Sequence, residues 1–421
     1  MHLQRGLRNG LFVLAYAFAL APRTLAAQAF PNFGYAPPAD WTLPTFQLSQ
    51  AYPTSLPAAS VYPWLSIDFH AAPAAYLQAV LAYAYDGNVD VDFVVQKNSK
   101  RQWFHAPWLH PGANGREFVR GLTRERQSRP YELSATQKTI ARNFAVGFFS
   151  DRGGYTIGSV WSNPVAPNPA AATFPEGTVA FKLLFTTATS TDVPFLAGSP
   201  EWVADINRAH SAKDVLATKV RLLQIDVAVK DKRSSKGGWV FGTFHYDSAV
   251  ADSNPWRRVR PLALMWGDDP TFLPANYASG QRPAQSWINQ SSPLVKYRAN
   301  PPIGAKPPAT LGWAGRANGP VDNPLSSCLS CHGTAQLPAD SAMVARGTSD
   351  SAKLWWFRNT KPGEAFTSGN ASLDFSLQLG VGIQNLQDSL AKSSPSLKAK
   401  SRATTPERTL RGDFRFSRGG R

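Results

Sequence analysis

The chain has 421 residues, 43% of them hydrophobic, with 34 prolines and a formal net charge of +16. The length exceeds one small domain, the apolar share excludes a disordered chain, and so many prolines argue against a helical bundle. Much of the charge excess sits in the last thirty residues, so it marks a basic tail rather than a nucleic-acid-binding core.

The N-terminus reads as a secretory signal over 1–29. Arg5 and Arg8 form a positive region, Leu11 to Ala21 is apolar, and Ala27-Gln28-Ala29 offers small residues for cleavage. The apolar run is too short to span a bilayer, and no later segment is long enough, so the expected location is the periplasm with no transmembrane segment in the mature chain. No twin-arginine pair occurs, which fits export before folding.

Residues 30–64 read as an extended segment rich in proline and aromatics. Ala75 to Tyr85 predicts a helix stopped at Asp86-Gly87-Asn88. From there strands are predicted over Asp92–Gln96, Arg101–Phe104, Phe144–Phe149 and Tyr155–Trp161, the last two joined by a turn at Asp151-Arg152-Gly153-Gly154. Stronger strands follow over Thr178–Phe185, Lys219–Lys230 and Trp239–Tyr246, with a short helix over Pro200–His210. In Lys219–Lys230, Ile225, Val227 and Val229 alternate with Asp226, Ala228 and Lys230, the period of a strand with two unlike faces. The expected fold is α+β, an antiparallel sheet core with surrounding helices and long loops. A β-rich domain over 30–255 precedes a loop-rich region over 256–390, with helices at Ala339–Val344 and Leu373–Leu390, and a disordered basic tail over 391–421. That tail suits anionic surfaces or an acidic redox partner protein better than nucleic acid.

Both cysteines of the chain lie in Cys328-Leu329-Ser330-Cys331-His332. A Cys-x-x-Cys-His run is the attachment pattern of a c-type haem. Two thiols on one turn can add to the two vinyl groups of a porphyrin edge, and the following imidazole reaches the iron. The expected cofactor is one covalent haem c, bound by Cys328, Cys331 and His332, with His332 as proximal iron ligand. Structural zinc would need a second ligand pair, and His2, His70, His105, His110, His210 and His245 are scattered. A redox dithiol would follow a strand, whereas Gly319 to Ser327 is loop-like. A simple disulfide gives His332 no role.

Phe174-Pro175-x-Gly177-Thr178, Val227-x-Val229-Lys230-Asp231 and Trp239-Val240-Phe241-Gly242-Thr243-Phe244, followed later by Cys-x-x-Cys-His, form an order that resembles the cytochrome c′-beta family. That family includes a hydroxylamine-oxidising cytochrome whose haem is cross-linked to a lysine. The resemblance implies a sheet forming one wall of the haem pocket and an iron that can be five-coordinate. Lys182 and Lys230 are the visible candidates for a cross-linking lysine, and the motifs do not single out either. The long insert between Tyr246 and Cys328, with Leu264-Met265-Trp266-Gly267-Asp268-Asp269-Pro270, departs from that pattern. Gly115-Arg116-Glu117, Gly121 to Arg126 and Asn323 to Ser327 resemble uncharacterised proteobacterial single-haem cytochrome c proteins.

The sixth iron ligand separates two functions. Electron transfer needs a Met or His there, and ligand chemistry needs the position open. Met265, His245 and Met343 are the candidates; Met343 lies only eleven residues after His332. Electron transfer is the leading expectation. The alternative is a haem enzyme or gas-binding protein acting on peroxide, nitric oxide or hydroxylamine. No Ser/His/Asp triad, phosphate loop or paired carboxylate points to hydrolysis.

Overall fold

The computed structural model describes residues 29–206, 217–236 and 238–393. The expected signal segment (but for Ala29), the last four residues of the expected helix at Pro200–His210 and nearly all of the basic tail lie outside these residues.

The elements run in the order α1 (Pro73–Tyr85), β1 (Trp103–Phe104), β2 (Thr123–Arg124), β3 (Asn143–Ser150), α2 (Asp151–Val160), β4 (Val179–Thr186), β5 (Glu201–Asp205), β6 (Ala217–Lys230), β7 (Trp239–Tyr246), β8 (Val259–Met265), α3 (Pro274–Ala278), β9 (Ser286–Ile288), α4 (Pro293–Ala299), α5 (Cys328–His332), β10 (Gln336–Leu337), α6 (Asp350–Lys353), β11 (Ala371–Ser372) and α7 (Leu377–Ser393). Nine strands make one antiparallel sheet in the order β1-β3-β4-β6-β7-β8-β9, with β2 added on β3 and β5 on β6. β10 and β11 form a separate pair. The architecture is therefore an antiparallel sheet with helices, as expected.

Both faces of the sheet are covered, which is why β3 and β7 are buried along their whole length. One face packs Phe148, Phe181 and Val227 beneath Tyr76, Leu77 and Val80 of α1. Gly242 lets α1 approach: a Cβ there would run into the Leu77 side chain. The other face packs Phe149, Phe241 and Met265 against Ile157 of α2, Leu329 of α5 and Leu379 and Ile383 of α7. Alternation in β6 divides the two cores. Ile225, Val227 and Val229 enter the first, and Ala228 packs against the second. Each buried Val or Phe of this kind contributes about 1.5–3 kcal/mol, so a one-residue slip of β6 would be strongly disfavoured.

Five local expectations are corrected. Tyr155–Trp161 is not a strand: β3 runs straight into α2, with Asp151 in the first helical turn. Gly153 and Gly154 lie inside this helix, and the Phe104 ring packs where a Cβ on Gly154 would stand. Asp92–Gln96 is not a strand either; Asp92 and Phe93 have φ of 48° and 58°, and Val95–Lys97 forms a 3-10 turn. The described start of the expected helix at Pro200–His210 is β5, since β6 extends far enough to pair with it. Ala339–Val344 is irregular. The last helix begins at Leu377 rather than Leu373, because Asp374 and Phe375 take φ of 44° and 67°. The region after Trp256 also contains β8, which pairs with β7, so the sheet continues past the boundary expected at 255/256.

Candidate haem-attachment site

α5 is a single helical turn holding the whole Cys-x-x-Cys-His run. Positions i, i+3 and i+4 share one helix face. Cys328, Cys331 and His332 are accordingly all partly open to solvent, while Leu329 and Ser330 are buried. The two thiols are not joined in a disulfide. Burial and the nearby Asp322 and Asp226 push the Cys328 thiol well up, so it is held as a thiol rather than as the thiolate of a reactive dithiol.

Five residues do not make a stable helix alone, so α5 depends on its caps. Ser327 accepts from Ser330 N–H at 2.9 Å through its Oγ, and Ser330 Oγ accepts from Ser327 N–H at 2.8 Å, a reciprocal capping box. Leu329 N–H, otherwise an orphan of the first turn, donates to Met265 Sδ at 3.4 Å. Ser327 Oγ in turn donates to Asp268 Oδ1 at 2.5 Å. Burial pushes the Asp268 carboxyl up to about 7, against the Ser327 hydrogen bond and the Arg316 charge, which lower it. Arg316 fixes this loop by donating to the carbonyls of Asp268, Asp269 and Phe272 at 2.7–2.8 Å. The dense Leu264 to Pro270 motif thus builds the seat of α5.

His332 Nδ1 lies 2.9 Å from the Phe375 carbonyl. A carbonyl only accepts, so Nδ1 carries the proton and the Nε2 lone pair is left for a metal. Burial pulls the imidazole down to about 4, partly offset by that hydrogen bond, so it is neutral at pH 7. The Phe241 ring of β7 packs 4.6 Å from the imidazole, on the sheet face beneath α5.

Beside this face the sheet carries a polar row. Lys182 Nζ pairs with Asp226 Oδ2 at 2.9 Å, and Thr243 Oγ1 donates to Asp226 Oδ1 at 2.8 Å. Gln224 Nε2 reaches Asp226 at 2.7 Å and Asp322 at 3.3 Å. The Lys182 and Asp226 side chains stay 25% and 22% exposed, so this row is not sealed from water. Burial pushes Glu125 and Asp226 up, although Lys182 opposes it.

The candidate sixth ligands are dispersed. Met265 is fully buried beneath α5, with its sulfur engaged by Leu329 N–H. His245 is fully buried, with Nδ1 at 2.9 Å from the Tyr246 carbonyl and Nε2 at 3.0 Å from Ser292 Oγ. Met343 lines a cavity with Ala335, Gln336, Leu377 and Val381, just past α5. His105 is a packed histidine whose Nδ1 accepts from Ser49 N–H at 2.9 Å. Of the candidate cross-linking lysines, Lys182 holds Asp226, and Lys230 holds Asp374 with its Nζ at 2.7 Å from Oδ1. Among the described residues no three His, Cys, Asp or Glu side chains gather into a metal-holding group. No helix among them is long and apolar enough to cross a membrane.

Sequence reasoning missed Asp374, Phe375 and the capping role of Met265 and Asp268. Asp374 and Phe375 carry no motif; Asp268 stood in a visible motif whose partner, Ser327, is far away in the chain. Compared with protein-family models, curated proteins and solved structures, the chain gives no significant match.

Proposed function

We propose that this protein is an exported, periplasmic c-type cytochrome that holds one haem through thioether bonds to Cys328 and Cys331, with His332 as proximal iron ligand. The observation that carries the reading is the one partly exposed face of α5: both thiols and an imidazole protonated on Nδ1 share it. A bound haem would supply a one-electron ferric/ferrous couple. The chain's own part is to present the thiols on one turn, to orient the imidazole through Phe375, and to cover the cofactor with the sheet. Electron transfer to a partner protein is the function this supports first, and the basic C-terminal segment would draw an acidic one. The test is expression with haem-maturation machinery. The protein should keep its haem through denaturing electrophoresis, and Cys328→Ser/Cys331→Ser should lose it. Zinc in place of haem in the wild-type protein would defeat the reading.

A second reading, a haem with an open sixth position that binds small molecules, is favoured by one observation. Met265 and His245 both have their ligating atoms engaged within the fold. Carbon monoxide binding by the ferrous protein separates the two readings.

A further inference from the structure

Resting on the haem reading, we infer that Asp374 and Lys230 are positioning residues that set the electronic character of the proximal histidine through the Phe375 carbonyl. The peptide that bears this carbonyl is unusual. Asp374 and Phe375 are consecutive non-glycine residues at φ 44° and 67°. Each such conformation costs about 1–3 kcal/mol and persists only where its surroundings over-determine it.

Those surroundings converge on one carboxylate. Asp374 is fully buried. Its Oδ1 accepts from Lys230 Nζ at 2.7 Å and from Trp239 Nε1 at 3.0 Å. Its Oδ2 accepts from Lys230 Nζ at 2.8 Å and from Phe174 N–H at 2.8 Å. Lys230 ends β6, Trp239 opens β7, and Phe174 lies in the loop before β4, so the clamp ties the Phe375 peptide to two strand ends of the sheet and to the loop leading into a third. All three residues fall within the short sequence motifs ahead of Cys-x-x-Cys-His: Phe174 and Trp239 open theirs, and Lys230 is next to last in its own. Together they hold one acid whose neighbour orients His332.

A metal-bound imidazole whose Nδ1–H donates to a firm acceptor is a stronger donor to the metal. It favours the ferric state and lowers the reduction potential. If Asp374 is released, the left-handed backbone relaxes, the carbonyl swings from Nδ1, and the potential rises. A side chain that merely packs would change stability and leave the potential alone.

The experiment measures the reduction potential of haem-loaded wild type, Asp374→Asn, Asp374→Ala and Lys230→Met. Asparagine keeps the left-handed conformation accessible while removing the charge; Lys230→Met removes only the cation. The expected result is a graded rise, with Asp374→Ala shifting the ferric/ferrous equilibrium tenfold or more, about 59 mV for a one-electron couple, and Lys230→Met shifting it less. Potentials unchanged in Asp374→Asn and Lys230→Met, with haem still covalently attached, would overturn the inference while leaving the haem assignment intact. Absence of covalent haem from the wild type would instead remove the reading beneath it. If Asp374→Ala does not fold, the two milder variants decide.

Discussion

Ser327 Oγ donates to Asp268 Oδ1 at 2.5 Å, tying the cap of the one-turn helix α5 to the loop that follows β8. The contact joins residues 59 apart and leaves Ser327 Oγ still free to accept from Ser330 N–H. One hydroxyl therefore serves both the helix and the buried acid.

Ser327→Ala should destabilise the protein by about 1–3 kcal/mol, since it deletes a cap and strips a buried carboxyl of its donor. Equilibrium denaturation of the purified protein measures this. Ser327→Thr, which keeps the hydroxyl, should recover most of the loss.

Asp268 also makes stability depend on pH. Its folded carboxyl titrates near 7, whereas an unfolded Asp titrates near ~4. The folded state thus binds the proton more tightly. Its stabilising contribution is complete below pH ~4 and is lost as pH rises towards 7. Asp268→Asn, which can still accept from Ser327, should flatten the decline across that window. Wild-type and variant denaturation curves of identical pH dependence would refute this.

Met265→Ala should cost about 2–5 kcal/mol in stability, as for any large buried side chain cut to alanine. It should not convert a low-spin iron to high-spin, because its sulfur serves Leu329 N–H. His245→Ala should likewise leave the spin state alone. A change of spin state in either variant would identify that residue as the sixth ligand and defeat the open-site reading.

His332→Ala should perturb the Soret and Q bands even where the thioethers still form. Its apoprotein should stay folded, since the imidazole contributes one hydrogen bond and one ring contact to the core. An unchanged optical spectrum would show that another residue holds the iron.

Gly154→Ala tests the corrected helix α2. The new methyl group would meet the Phe104 ring, and overpacking of this kind costs about 1–3 kcal/mol. In the expected hairpin turn the same change would not touch Phe104. Thermal denaturation distinguishes the two, with Phe104→Leu as the variant that should relieve the clash.

The parts of this protein legible in its sequence are those governed by neighbours along the chain. The strands β4, β6 and β7 follow from alternation, α1 from its apolar period and its Asp86-Gly87 stop, and the shared face of Cys328, Cys331 and His332 from helical spacing. What α2 would be was not legible, because Tyr155–Trp161 has strand-like residues and its glycines read as a turn. Packing against Phe104 and Phe149, remote or invisible in local pattern, decided otherwise. The same holds for the site. The sequence determined which residues could attach a haem. Only the tertiary structure decided that Met265 caps α5, that Asp268 anchors Ser327, and that Phe375 orients His332, since each contact joins segments more than forty residues apart and depends on where the sheet carries them.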